Sequence, residues 1–358
     1  MSRIVLERRT FLAGAGLAWL SALTPAGAER LAASELLFAA AYMDAKGAYG
    51  VAILDRDGAR VSAHDLPGRG HGFATHATAD WLVAFARRPG NFAVALHTRA
   101  EARPLLFHTP ADRHFYGHGA FSPDGRLLYA AENAYETGDG MIGVYDATDG
   151  FARIGEFPTH GIGPHELVLM PDGRTLCVAN GGIRTHPDQG RAKLNLATMA
   201  PSIVFIDRTS GELKSSHALA SRLNRLSLRH MAVDASSRVW IGGQYEGDAM
   251  DEVPVLARLD EEAGLVAVDL PADVAQRFGL YAGSVAIGND GVTLGVASPK
   301  SGVVLTLDTR SGQPLALETA PRTCGLQASG SGFISSSERG RFGTTSHACA
   351  WDNHIARV

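Results

Sequence analysis

The chain has 358 residues, 33 Lys and Arg against 37 Asp and Glu, a formal charge of −4, and 45% hydrophobic residues. This composition supplies a large core and no block of like charge, so there is no electrostatic footprint for nucleic acid. Three cysteines are too few for a disulfide framework.

The first element is Glu7-Arg8-Arg9-Thr10-Phe11-Leu12, followed by apolar sequence to Leu23 and then Ala26-Gly27-Ala28, the pattern of a cleaved export signal. The Arg8-Arg9 pair before Phe11-Leu12 reads as the twin-arginine type, with Glu7 in place of the usual Ser or Thr and no Lys at position 13. An apolar run of this length falls short of the ~20 residues that span a bilayer. The expected organisation is a signal over residues 1–28 and one domain over 29–358, located in the periplasm. The mature chain then has 330 residues and a charge of −6.

From there a repeat organises the chain. An apolar residue and Asp, with Gly four positions after the Asp, recur at Tyr145-Asp146/Gly150, Ile206-Asp207/Gly211, Leu259-Asp260/Gly264 and Leu307-Asp308/Gly312. Asp can bond the turn backbone and Gly can take positive φ, so the spacing marks a hairpin. Weaker copies lie at Leu54-Asp55, Leu96-His97 and Trp351-Asp352. Hairpins of a second type alternate with these at 70–87, 117–133, 163–180, 228–244, 283–298 and 323–338. Two hairpins make a four-stranded antiparallel unit, and seven such units of about 47 residues predict an all-β, seven-bladed β-propeller, with six blades as the alternative. Helical period is confined to Pro271–Phe278. Residues 36–66 have room for three strands only, so ring closure is expected to borrow the C-terminal run 348–358.

Cys177 lies in an apolar run and reads as core. Cys324 and Cys349 are expected on the first and third strands of one sheet. At ~4.8 Å per strand their Cα atoms would be about 9.6 Å apart, beyond the ~7 Å reach of a disulfide, and none is predicted.

Register places His71, His118, His165 (with Glu166) and His230 at the start of the innermost strands of four consecutive blades, on the rim of the central channel. Arg87-Arg88, Glu132-Asn133, Asn180, Gln244, Glu246, Lys300 and Glu338 end second strands on the same face. The aperiodic segment 181–201 starts there and is long enough to be functional. It would lower His186, Arg191 and Lys193 onto a ligand beside Asn180 and Gln244. Two readings of the histidines stay open. In WD-type propellers a Gly-His pair at this point is structural, and Gly70-His71 and Gly117-His118 look the same. Alternatively His71, His118, His165, Glu166 and His230 are metal ligands. A channel roughly 20 Å across, set by sheets ~10 Å apart, lets only two or three of them reach one ion. Imidazole and carboxylate suit iron, zinc or copper better than calcium. His64, His97, His217 and His354 read as surface residues. No catalytic motif stands out, and a metal-dependent, lactonase-like hydrolase with Glu132, Asn133 and Asn180 as oxygen ligands is the enzymatic alternative.

Arg69-Gly70-His71-Gly72-Phe73, the run from Gly117 to Gly125, the stretch from Gly161 to Ser202, and Leu226 to His230 with Gln244-Tyr245 resemble a propeller family known as domain of unknown function 1513. The resemblance implies twin-arginine export and an iron-related periplasmic role, since such proteins tend to be encoded beside imelysin-like iron-uptake proteins. It implies no catalytic residue. The reading that follows is a periplasmic protein holding iron, another transition metal or an iron complex at the channel mouth. A scaffold for an imelysin-like partner is the non-binding alternative.

Overall fold

The computed structural model describes residues 36–76, 78–97, 103–260 and 262–358, so the export signal at residues 1–28 lies outside the described residues. Seven four-stranded antiparallel sheets surround a central axis, and the inner strands of neighbouring sheets pack in an unbroken ring. This is the seven-bladed arrangement, and the six-bladed alternative is set aside. The repeat has the physical cause inferred for it. Asp146, Asp207 and Asp308 each accept the backbone N–H two residues on, at 2.8, 2.9 and 2.8 Å. Asp260 accepts from the N–H of Ala263. The four paired glycines all take positive φ, between 59° and 74°.

The first blade takes its inner strand, Cys349–Arg357, from the C-terminus and the other three, Leu37–Asp44, Tyr49–Asp55 and Arg60–Leu66, from the N-terminal region. The borrowed strand is therefore as expected. Two details differ. Trp351-Asp352 belong to this closing strand, whereas the outer half of the seventh blade consists of the short strands Arg341–Phe342 and Thr345–Ser346. Cys349 consequently lies one blade away from Cys324, on Thr323–Ser329, and not in the same sheet. All three cysteines are free, and Cys177 and Cys324 are buried.

Trp351 shows what holds the ring shut. Its ring, 1% exposed, packs edge-on against Tyr42 of the first blade and Phe342 of the seventh, and its Nε1–H donates to the Gly340 carbonyl at 3.0 Å. Deleting residues 349–358 would strip every inner-strand pairing from the first blade and expose Trp351's partners. We expect this truncation to abolish the cooperative calorimetric transition, and a transition of unchanged enthalpy would contradict this account of closure.

Apolar clusters fill the wedges between blades. Between the second and third, Phe107 stacks on Phe151 at 4.9 Å beside Phe85, Phe115 and Tyr145. The expected helix is present at Ala272–Phe278, anchored by buried Phe278. Among the described residues no helix is long and apolar enough to cross a membrane.

Candidate ligand site

The inner strands carry the histidines, and irregular register aims them. The pairing of the second blade's inner hairpin shifts between Gly70 and Phe73, flanking His71, and that of the third blade shifts between Phe115 and Gly119, flanking His118. Similar shifts bracket His165 in the fourth blade and Arg229 beside His230 in the fifth. In the closing strand the shift spans 352–354. A bulge breaks the alternation of a strand and re-aims a side chain. Here it turns each imidazole towards the axis.

The result is a compact cluster of five rings. His354 is its centre, with centroids 4.6 Å from His71, 4.6 Å from His118 and 4.8 Å from His230. His165 lies 4.6 Å from His230 and 5.5 Å from His118. Two expectations are corrected. His354 is a member of the cluster, not a surface residue. The channel is also far narrower at this level than roughly 20 Å, because the ~10 Å spacing holds between sheet faces while the inner strands converge and the imidazoles reach further inward. Glycines make the approach possible: Gly117, at φ +100°, would place a Cβ 2.5 Å from the His71 ring, and a Cβ on Gly72 would sit 3.0 Å from the His118 ring.

Carboxylates from neighbouring blades stand behind the rings. Asp352, on the first blade, lies 3.2 Å from His71 Nδ1 on the second. Glu166, on the fourth, lies 3.3 Å from His230 Nδ1 on the fifth and 3.8 Å from His118 Nδ1 on the third, and accepts the Met231 N–H at 3.1 Å. These links cross from blade to blade, unlike the intra-blade bonding of the structural Gly-His reading. Nε2 of His118, His230 and His354 and Nδ1 of His165 are buried without a hydrogen-bond partner among the described residues. Two groups of three histidines bring donor nitrogens within 4.8 Å of one another, His71-His118-His354 and His118-His165-His230. Glu166 is outside both groups and orients the rings from behind. Burial, the largest influence, pushes the imidazoles down: His118 to about 3, and His165, His230 and His354 well below the ordinary value. The cluster is neutral at pH 7, the protonation state that ligates metals.

Above the cluster opens a cavity of about 510 Å³ with His71, His165 and His230 among its lining residues. The 181–201 segment folds over it, stitched by Asn195, which accepts the Arg184 N–H at 2.7 Å and donates to the Gly182 carbonyl at 2.9 Å. His186, Arg191 and Gln244 line the cavity. Lys193 and Asn180 do not. Lys193 pairs with the buried carboxylate of Glu246 and so latches the segment to the propeller face. Asn180, fully buried, donates to the Thr159 carbonyl and Ser202 hydroxyl and braces the base of the same segment. The oxygen set of the hydrolase alternative is likewise used elsewhere. Glu132 bonds Tyr145 and Arg153, Asn133 bonds His114 at 3.0 Å, and neither lines the cavity. Sequence reasoning missed Arg229, Arg322, Tyr116 and Tyr281. Arg229 is the extra residue of a bulge, which no alternation reveals in advance.

Fold and site together define a class, a seven-bladed propeller whose channel is plugged by imidazoles beneath a lidded cavity. The chain belongs to the family described as protein of unknown function (DUF1513), whose model matches residues 64–358. Among solved structures it is similar to Kuenenia stuttgartiensis hydrazine synthase, at 14% identity and a TM-score of 0.60, covering 86% of this chain and 89% of that one. It is also similar to the β-propeller domain of Cps50 (Swd1) from Myceliophteria thermophila, at 12% identity and a TM-score of 0.58, covering 85% and 92%. At such identities the likeness concerns the fold alone. Among curated proteins none matches the chain.

Proposed function

We propose that this propeller is a binding protein that holds a transition-metal ion, iron in the first instance, on His118, His165 and His230. The observation that carries the reading is the orientation of the rings. In His118 and His230 Nδ1 faces the Glu166 carboxylate while the buried Nε2 has no hydrogen-bond partner among the described residues. A ligating histidine is held in this way, with its second nitrogen on a carboxylate that fixes tautomer and direction. The third donor is Nδ1 of His165. Bonds of ~2.1 Å imply donor separations of ~3.4 Å in a tetrahedral site, so the rings close slightly on the ion. Imidazole donors suit iron, zinc, copper and nickel. A periplasmic location and an imelysin-like partner are part of the same proposal and rest on the family resemblance.

The test is elemental analysis of the mature protein, exported in its own host and purified without chelator or affinity tag. Near-stoichiometric iron or another transition metal is expected. The double variant His118→Ala, His230→Ala should retain its fold by circular dichroism and lose at least nine-tenths of that metal. A metal-free protein that also refuses added iron would turn the assignment to a scaffold with structural histidines.

A further inference from the structure

The cavity wall carries a feature that the metal does not explain. Among the described residues six cationic side chains line it, Arg87, Arg88, Arg191, Arg229, Lys300 and Arg322, against one carboxylate, Glu338. The chain as a whole is acidic, so this concentration is local. Three of the six are partly offset: Arg87 lies 3.0 Å from Asp352, Arg229 lies 3.0 Å from Glu246, and Arg322 lies 3.8 Å from Glu338. Arg88, Arg191 and Lys300 make no hydrogen bond or ion pair among the described residues, although Lys300 lies over the Tyr281 ring at 5.6 Å.

The lid adds to the crowding. Arg191 is brought against Arg87, Arg88 and Arg69, and that repulsion pulls its guanidinium below the ordinary value. Arg88 is pulled down by burial first and by Arg229 and Arg87, against the opposing influence of Tyr116 and Glu246. Like charges gathered in a partly desolvated space repel strongly. A fold that spends stability in this way has prepared the space for negative charge. Guanidinium forks match planar oxyanions through paired hydrogen bonds, and a volume near 510 Å³ suits a small molecule.

We propose that the lidded cavity binds a small, multiply charged carboxylate, gripped by Arg88 and Lys300 on the propeller face and by Arg191 from the lid. The carboxylate assignment comes from the spread of the three cations over wall and lid, which several separate planar oxyanions on one molecule meet better than one compact tetrahedral anion. His165 and His230 line both this cavity and the metal cluster, and a carboxylate can bond a guanidinium with one oxygen while it offers another to an ion below. The anion site itself stands on the cationic wall and does not require the metal.

The experiment is calorimetric titration of the mature protein, cleared of metal on a chelating resin and not with a soluble polycarboxylate, using citrate, inorganic phosphate and neutral glycerol as probes. Citrate is expected to bind with a sub-millimolar constant that weakens as salt rises, with phosphate at least tenfold weaker and glycerol silent. Arg88→Gln, Lys300→Gln and Arg191→Gln should each weaken citrate about tenfold. Arg88→Gln and Arg191→Gln should leave the melting temperature of the ligand-free protein unchanged or higher, because each relieves repulsion among the clustered guanidiniums, and Lys300→Gln should lower it by no more than its contact with the Tyr281 ring supplies. Lower melting temperatures with unchanged citrate affinity would make these cations structural and overturn the proposal. Phosphate binding tighter than citrate would overturn the carboxylate assignment, and silence of both anions would overturn the site. Because the protein is metal-free, these outcomes are independent of whether the histidines hold iron.

Discussion

Acidification from pH 7 to pH 5 is expected to unfold the metal-free protein or lower its melting temperature by more than 10 °C. His118, His165, His230 and His354 are held below their ordinary pKa, first by burial and then by neighbouring cationic groups, with Glu166 opposing the shift at His118. His114, on the cavity wall, is pushed down to about 4. In the unfolded chain each regains a pKa of ~6.5. Below that value the unfolded state binds more protons than the folded state, so stability falls as pH falls. A histidine that stays neutral while folded loses about 1.9 kcal/mol over this interval. Three acting fully would cost about 6 kcal/mol, comparable with the ~5–15 kcal/mol that holds an ordinary domain together.

The groups facing the cluster modify this sum in known directions. Burial raises Glu166, so it gains a proton on the folded protein first and offsets at most one histidine. Asp352 contributes in a lower window. Burial alone would raise it, but the His71 hydrogen bond and the Arg87 and Arg69 guanidiniums hold it well below the usual carboxylate range. Its contribution is present above its unfolded pKa of ~3.9 and is lost only below it. The cations Arg87 and Arg229 oppose protonation of the rings throughout. Differential scanning calorimetry in chelated buffer at half-unit pH steps gives the curve. The triple variant His118→Gln, His165→Gln, His230→Gln should flatten it, and added zinc should shift the acid midpoint downward by competing with protons. A melting temperature that is level between pH 7 and pH 5 would show that the imidazoles are not buried as neutral groups.

The fold was legible because its causes are local. An apolar residue, an Asp and a Gly four residues later mark the hairpin turn in four blades, and strand count alone exposed the missing strand of the first blade. His71, His118, His165 and His230 were legible for the same reason, since each precedes a turn from which register can be counted. His354 follows the last turn and offers nothing to count from. Arg229 and His230 both reach the site because a bulge sets them on one side, a departure from alternation that no periodic pattern encodes. The convergence of the rings was underestimated because sheet spacing describes the middle of a blade, whereas the cluster lies at the axis. Lys193 lies in the segment over the cavity, but its charge is directed at Glu246, a partner 53 positions away in sequence, and not at the cavity.

The two carboxylates behind the histidines should separate stability from metal binding. Asp352 is 5% exposed and joins the closing strand to the second blade through Arg69 Nε at 2.5 Å, Arg87 Nη1 at 3.0 Å and His71 Nδ1 at 3.2 Å. Removing one partner from a buried ion pair strands the other, at about 3–5 kcal/mol. Asp352→Asn is therefore expected to lower the melting temperature by roughly 6 °C or more while leaving metal affinity within a few-fold. Glu166 is the opposite case. Burial raises its pKa, and among the described residues the cationic forms it pairs with are a protonated His118 or His230. Glu166→Gln removes a costly buried charge and keeps a side chain of the same shape, so the metal-free protein should be equally stable or more so. Metal affinity should fall 10–100-fold, the usual consequence of losing the carboxylate behind a ligating histidine. If the ion instead sits on His71, His118 and His354, the order inverts: Asp352→Asn loses the metal and Glu166→Gln keeps most of it. Parallel melting curves and competitive zinc titrations of the two variants decide which triad of histidines is the site.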